Sequence, residues 1–122
     1  MLVKMGHVII DIKVSDSEKK KSATVPAIVD TGAMLTVLPK KLADELGIEA
    51  VGEEAVATGG GMIKVKHGRA LIRVNGKEEL FRVWISDIID KVLLGVVVLE
   101  VFGFKVDLNT GILEETPLLL MY

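Results

Sequence analysis

The sequence predicts an all-β protein, a closed or sandwich-like β-barrel with one or two short helices. Roughly seven or eight short runs are rich in β-branched residues, and turn residues separate them. Asn75-Gly76 lies between two of these runs, which is the strongest short signal for a hairpin with a type I′ turn. Only two segments end with the glycine typical of a helix C-terminus, at Gly47 and Gly103. The length suits one domain, so we expect residues 1–122 to form a single domain.

Strand patterns begin near the N-terminus and recur along the chain. They cover residues 6–14, 23–29, 52–58, 62–65, 69–74, 78–85, 104–108 and 112–115. Proline donates no ladder hydrogen bond, so the second strand should lie at an edge or a bulge at Pro26. Three consecutive glycines, Gly59 to Gly61, predict a hairpin with a flexible tip.

Two short helices are predicted. In the first, Pro39 suits the first helical position, Leu42 and Leu46 share a face, and Gly47 ends the helix. The second covers residues 96–102 and is predicted from its ending at glycine, because its β-branched content disfavours a helix.

The composition suggests a buried interface between subunits. Half of the residues are hydrophobic but only 4% are aromatic, so Val, Ile and Leu must fill the interior. That is more apolar surface than a small monomer usually hides, and a second copy of the chain is the natural cover for it.

Charge and apolar runs exclude several classes of partner. The 15 basic and 17 acidic residues give a net charge of −2, so no nucleic-acid partner is expected. The absence of cysteine excludes a disulfide framework, a thiol nucleophile and a thiolate metal site. The longest apolar run, 92–99, is too short to span a membrane, and Asp11 and Lys13 interrupt any secretory pattern. We therefore expect a cytoplasmic protein with no membrane partner.

The other polar residues indicate no second site. His7 and His67 lack the spacing of metal ligands, so neither a metal nor a cofactor is expected. Glu53 and Glu54 are neighbours on a strand and should point to opposite faces, which separates their carboxylates. The glycines at 59–61 lack the Lys-Ser/Thr ending of a phosphate-binding loop.

The segment with the clearest chemistry is 27–33, followed by 36–38. An apolar strand delivers one carboxylate, Asp30, and the chain then turns at Thr31-Gly32. Gly32 permits a positive φ and leaves space beside the carboxylate, while the Thr31 hydroxyl can fix the loop by hydrogen bonds. Taken alone, Asp-Thr-Gly more often marks an ordinary Asp-initiated turn between strands.

In its context, this stretch resembles the active-site loop of retropepsin-like aspartic proteases. The motif of that family runs apolar-apolar-Asp-Thr-Gly-Ala and then Thr-Val-Leu, which Ile28 to Ala33 and Thr36 to Leu38 match. The glycine-tipped hairpin stands where the family places its flap, the hairpin that covers the substrate. Leu93-Leu94-Gly95 stands where the family closes its barrel behind the active site. The chain ending is similar to that of prokaryotic members, through Leu94-Gly95, Leu99-Glu100, Gly103-Phe104 and Val106-Asp107.

The resemblance implies a retropepsin-like closed β-barrel that acts as a homodimeric aspartic endopeptidase. Each chain would contribute one aspartate to a pair that hydrolyses peptide bonds, so the expected partners are a second copy and a peptide or protein substrate. The residues implied are catalytic Asp30, Thr31 and Gly32, and substrate-binding Ala33, Gly59, Gly60 and Gly61.

One departure from the family keeps an alternative open. Retroviral enzymes usually follow the late glycine with an arginine that braces the dimer, whereas Gly95 is followed here by Val96-Val97. The apolar segment Leu118 to Tyr122 is a candidate for holding the dimer instead, by pairing across a two-fold axis. The alternative function is a non-catalytic dimeric β-barrel that binds a peptide or protein. A DNA-binding dimer is disfavoured by the near-neutral charge.

Overall fold

The computed structural model describes residues 8–107 and 109–116, and every structural statement below concerns these ranges. The strands are β1 (Val8–Ser15), β2 (Ser22–Val29), β3 (Val37–Pro39), β4 (Gly52–Thr58), β5 (Gly61–Val74), β6 (Lys77–Ser86), β7 (Val92–Leu94), β8 (Phe104–Asp107) and β9 (Ile112–Glu115). The helices are α1 (Lys40–Leu46) and α2 (Val96–Phe102). Within the described ranges, no helix has the length and apolarity needed to cross a membrane. The segment Leu118 to Tyr122 and His7, both named above, lie outside these ranges.

Six strands form a closed barrel. The strand order is β1-β2-β7-β3-β6-β5-β4, and β1 also pairs with β5, which closes the sheet and leaves β4 outside the ring. The closing pairs run from Lys13 with Arg73 to Ser15 with Leu71. A second, two-stranded sheet joins β8 and β9. The predicted all-β barrel with one or two short helices is therefore confirmed, and the helices number two.

Side chains alternate between the two faces of the barrel wall. The inner face is apolar and buried, and its β-branched residues and leucines fill the core as the composition predicts. On the other face, paired residues form a row that crosses five adjacent strands, because cross-strand partners share a face. This outer row consists of Ile28, Leu93, Val37, Trp84 and His67.

The strand order around β7 brings distant parts of the sequence together. β7 lies between β2 and β3, which are consecutive in the chain; it is parallel to β2 and antiparallel to β3. Pro26 faces Asp11 on β1, and the pairing with β7 begins only at Ala27. Pro26 thus lies where one side of its strand is open, as its missing N–H predicts.

Both helices are short and both end at a glycine in the left-handed region, Gly47 (φ 71) and Gly103 (φ 73). The first begins at Lys40, one residue later than predicted, because Pro39 is extended and completes β3. α2 has poor intrinsic propensity, but it buries Val98, Leu99 and Phe102. Phe102 also makes edge-to-face contacts with the rings of Phe81 and Phe104. Tertiary packing therefore stabilises this helix.

The prediction of separate strands at 62–65 and 69–74 is wrong. β5 runs without a break from Gly61 to Val74. Gly68 does not interrupt the strand; a Cβ there would stand 2.6 Å from the carbonyl oxygen of Glu49. The glycine is needed because the loop after α1 passes directly over the strand.

Candidate active site

Asp30 stands at the end of β2, and backbone hydrogen bonds fix its position. Its N–H donates to the carbonyl oxygen of Leu94 at 3.0 Å, which links the aspartate to β7. The Gly32 N–H donates to Asp30 Oδ1 at 2.9 Å, and the Ala33 N–H donates to the Asp30 carbonyl oxygen at 3.1 Å. The side chain is partly exposed. The loop therefore orients one carboxylate oxygen itself, and the carboxylate remains accessible.

Gly32 leaves space beside the carboxylate and does not use an unusual backbone conformation. A Cβ at this position would lie 3.2 Å from Asp30 Oδ1, tighter than nine in ten real Cβ contacts. The residue is not among those with positive φ, so the permissiveness expected from the sequence is not used. An alanine here would press on the carboxylate.

Thr36 connects the aspartate loop to the strand behind it. The side chain is 1% exposed, and its Oγ1 accepts a hydrogen bond from the Gly95 N–H at 3.0 Å. Its carbonyl oxygen accepts from the Trp84 N–H at 2.9 Å. Thr36 therefore joins β7 and β6 to the loop that follows Asp30.

The start of α2 is capped by the same loop. No side chain caps this helix; the Val96 N–H donates to the Ala33 carbonyl oxygen at 2.8 Å and the Val97 N–H to that of Met34 at 3.1 Å. These bonds satisfy donors that a helix N-terminus otherwise leaves free. At the position where retroviral enzymes usually carry a bracing arginine, this chain thus holds the loop through its backbone.

Gly95 makes this close approach possible. A Cβ on it would stand 2.4 Å from the carbonyl carbon of Leu35 and 2.7 Å from the Thr36 nitrogen. Both atoms belong to the backbone, so no change of rotamer can relieve the overlap. The loop after Asp30 and the turn from β7 into α2 are therefore packed backbone against backbone.

The hairpin that stands in the place of the family's flap, called the flap below, is formed by β4 and the first part of β5, and its tip is Gly59 to Gly61. Thr58 closes the tip: its Oγ1 donates to the Gly61 carbonyl oxygen at 2.7 Å and accepts from the Gly60 N–H at 3.1 Å. Gly61 has a φ of 116, which explains the preference for glycine there. The tip is exposed, and so is Met62 beside it (67%).

At the other end of the flap, a polar cluster joins β4 to β6. The Glu54 carboxylate accepts hydrogen bonds from the indole N–H of Trp84 and from the guanidinium of Arg82. These bonds, with the Arg82 charge, hold the pKa of the Glu54 carboxyl below its usual value, the Trp84 bond being the largest cause. Beside this cluster, the His67 ring covers Gly52, where a Cβ would lie 2.7 Å from Nε2.

The residues named from the sequence fall into two places. Asp30, Thr31, Gly32 and Ala33 form one loop, and 59–61 form the tip of the flap. Their roles in catalysis and substrate binding stay predictions. Among the described residues, no cluster of His, Cys, Asp and Glu could hold a metal ion.

Three contributors to the site could not be predicted from the sequence. Two are the hydrogen bond from the Gly95 N–H to Thr36 and the bond from Thr58 that closes the flap tip. The segments that contain these residues were predicted, but the pairing of these atoms was not. Glu54 gave no signal beyond its charge, because its partners lie two strands away across the sheet.

Comparisons with known proteins agree with this geometry. The family profile described as aspartyl protease matches residues 10–98. A retropepsin-like aspartic protease from Rickettsia conorii is 27% identical, with a TM-score of 0.59, over 84% of this chain and 85% of that chain. EIAV protease in complex with the inhibitor HBY-793 is 19% identical, with a TM-score of 0.64, over 83% of this chain and 92% of that chain. The retroviral protease-like domain of Ddi1 from Leishmania major is 20% identical, with a TM-score of 0.55, over 91% of this chain and 90% of that chain.

No curated protein sequence matches the chain. The family match covers most of the barrel, including the Asp30 loop and the flap. The solved structures share the same fold across viral, bacterial and eukaryotic proteins. The chain therefore belongs to the aspartyl protease family, and its fold is that of the retropepsin-like proteases.

Proposed function

We propose that the chain is a homodimeric aspartic endopeptidase in which two copies of Asp30 form the catalytic pair. The observation that carries the proposal is the loop around Asp30. It delivers one partly exposed carboxylate from the end of β2, where Ala27 and Val29 are buried, with one oxygen oriented by the Gly32 N–H. Membership of the aspartyl protease family supports the same chemistry.

A dimer is proposed because Asp-Thr-Gly occurs once in the sequence, whereas the chemistry needs two carboxylates. The surface beside the loop is suited to a second copy. Ile9, which pairs with Ile28 two residues before Asp30, is 62% exposed, and Met34 is 57% exposed. Thr31 is exposed as well, so its hydroxyl is available to the loop of the other chain.

The proposed reaction follows from two facing carboxylates. Like charges so close do not both ionise, so the pair shares a proton, as is established for aspartic proteases as a class. The ionised member takes a proton from water, whose oxygen attacks the scissile carbonyl carbon. The protonated member donates its proton to the carbonyl oxygen. The substrate is a peptide held as an extended strand, with Ala33 and the flap residues Gly59, Gly60 and Gly61 as its proposed contacts.

The test is substitution of Asp30 by asparagine in the dimer. Asp30→Asn removes the charge with little change of shape, so cleavage of a peptide library should disappear from acidic to neutral pH while the size of the particle is unchanged. Asp11→Asn, an exposed aspartate on β1, is the matched control and should keep wild-type activity.

Three results would contradict the proposal. Cleavage that survives in Asp30→Asn would place the chemistry elsewhere. A wild-type chain that binds peptides but cleaves none at any pH would favour the alternative, a non-catalytic dimeric β-barrel. If sedimentation shows that the wild-type chain is a monomer, two copies of Asp30 cannot form the catalytic pair.

A further inference from the structure

The cluster of Glu54, Arg82 and Trp84 links the flap to the barrel wall. In the sheet order, β4 is separated from β6 by β5, so these side chains cross an entire strand to meet. Trp84 is 9% exposed, and its indole N–H therefore needs a partner. Glu54 supplies that partner from the first half of the flap.

The cluster lies on the same face of the sheet as Ile28, near the proposed catalytic group. Trp84 belongs to the outer row, which continues through Val37 and Leu93 to Ile28. Asp30 follows Ile28 by two residues, just beyond the end of β2. A displacement of Glu54 thus changes the position of the flap relative to the sheet that carries Asp30.

The contacts divide the flap into a fixed and a free part. Up to Glu54, β4 is tied to the barrel by Trp84 and Arg82. Beyond it, the strand pairs only with β5, since β4 is the outermost strand of the sheet. Residues 57–64 are all exposed, so among the described residues the tip is held by the hydrogen bonds of the hairpin itself.

We infer that Glu54 is a positioning residue for the flap: its carboxylate, held by Trp84 and Arg82, fixes the point from which the flap extends over the substrate. The effect of Glu54 on catalysis rests on the proposed function, whereas the contact of Glu54 with Trp84 and Arg82 does not. The hydrogen-bond partners of the carboxylate are Trp84 and Arg82, and not the loop of Asp30. Its loss should weaken substrate binding and leave the chemical step intact, because Asp30 is oriented by Leu94 and Gly32 instead.

The test compares Glu54→Ala with Glu53→Ala, its neighbour on the opposite face of β4. Trp84 is the single tryptophan of the chain, so tryptophan fluorescence reports on the surroundings of this one residue. Glu54→Ala should shift the emission to longer wavelength and speed hydrogen exchange of the flap amides. It should also raise KM about tenfold with kcat within about twofold, the size expected for one charge-assisted hydrogen bond.

Glu54→Gln is the second variant, and it keeps the shape if Glu54→Ala folds poorly. The glutamine amide oxygen can still accept a hydrogen bond from Trp84, but the amide has no charge to pair with Arg82. The Trp84 emission and the KM of this variant should therefore lie between those of wild type and Glu54→Ala. Glu53→Ala should match wild type in every measurement.

The outcomes separate the two proposals. Unchanged emission and unchanged flap exchange in Glu54→Ala would overturn the contact. Shifted emission with unchanged KM, or a fall in kcat alone, would overturn the positioning role. A wild-type chain without proteolytic activity would refute the proposed function, and flap exchange would still decide whether Glu54 fixes the flap.

Discussion

Replacing Thr36 by valine tests whether one hydroxyl holds the aspartate loop against β7. Valine has nearly the same shape as threonine but cannot accept the hydrogen bond from the Gly95 N–H. The site is closed to solvent, because Thr36 is 1% exposed, so water cannot replace the lost acceptor. The substitution therefore leaves a backbone donor buried without a partner.

The expected cost follows from that orphaned donor. A buried N–H without a partner costs about 1–3 kcal/mol, and the added methyl group returns up to about 0.8 kcal/mol. We expect a net loss of ~1–2 kcal/mol in the free energy of unfolding, which is roughly a five- to thirtyfold fall in the ratio of folded to unfolded protein.

The assay is urea unfolding at one fixed protein concentration, since association of subunits would otherwise change the apparent stability. Thr24→Val is the matched control, because Thr24 is exposed on β2 and should change stability by less than about 0.5 kcal/mol. Equal stability of the two variants would refute the reasoning, because it would mean that the hydroxyl at position 36 does not satisfy the Gly95 N–H.

Two further predictions concern the neighbourhood of this loop and the flap. Gly95→Ala should destabilise the protein more than Thr36→Val, because the alanine Cβ would meet backbone atoms at 2.4–2.7 Å. Gly59→Ala should leave the stability unchanged, because a Cβ there has nothing within 4 Å. Equal unfolding midpoints for the two alanine variants would contradict this prediction. The lowered pKa of Glu54 means that its contribution to stability is fully present above the usual value of 4.5 and is lost as the pH falls through the lower folded value. The emission of Trp84 should therefore shift only on acidification below 4.5 in the wild type and not in Glu54→Gln; the same transition in both proteins would assign it to another group.

Local signals in the sequence predicted the hairpins and the ends of the helices. Asn75 and Gly76 both have positive φ, as the type I′ turn requires, and Gly103 ends α2 in the left-handed region. These features are determined by a few adjacent residues, so short patterns in the sequence are enough to predict them. The aspartate loop could be located for the same reason.

Contacts between distant strands could not be predicted in this way. The pairing of β1 with β5 depends on how the whole sheet curves, and the contact of Glu54 with Trp84 depends on the register of three strands. The continuity of β5 through Gly68 could not be predicted either, because a glycine in a strand indicates either a break or a close approach. Only the position of Glu49 above it decides between these.

The insertion of β7 between β2 and β3 has a consequence for how the protein is made. Thr36 and Gly95 are 59 residues apart, so the loop bearing Asp30 leaves the ribosome well before the strand that orients it. Contacts of such long range form slowly, because a large loop of chain must close first. A nascent or truncated chain lacking β7 has no Leu94 carbonyl to receive the Asp30 N–H, so the geometry of the loop is a property of the finished polypeptide alone.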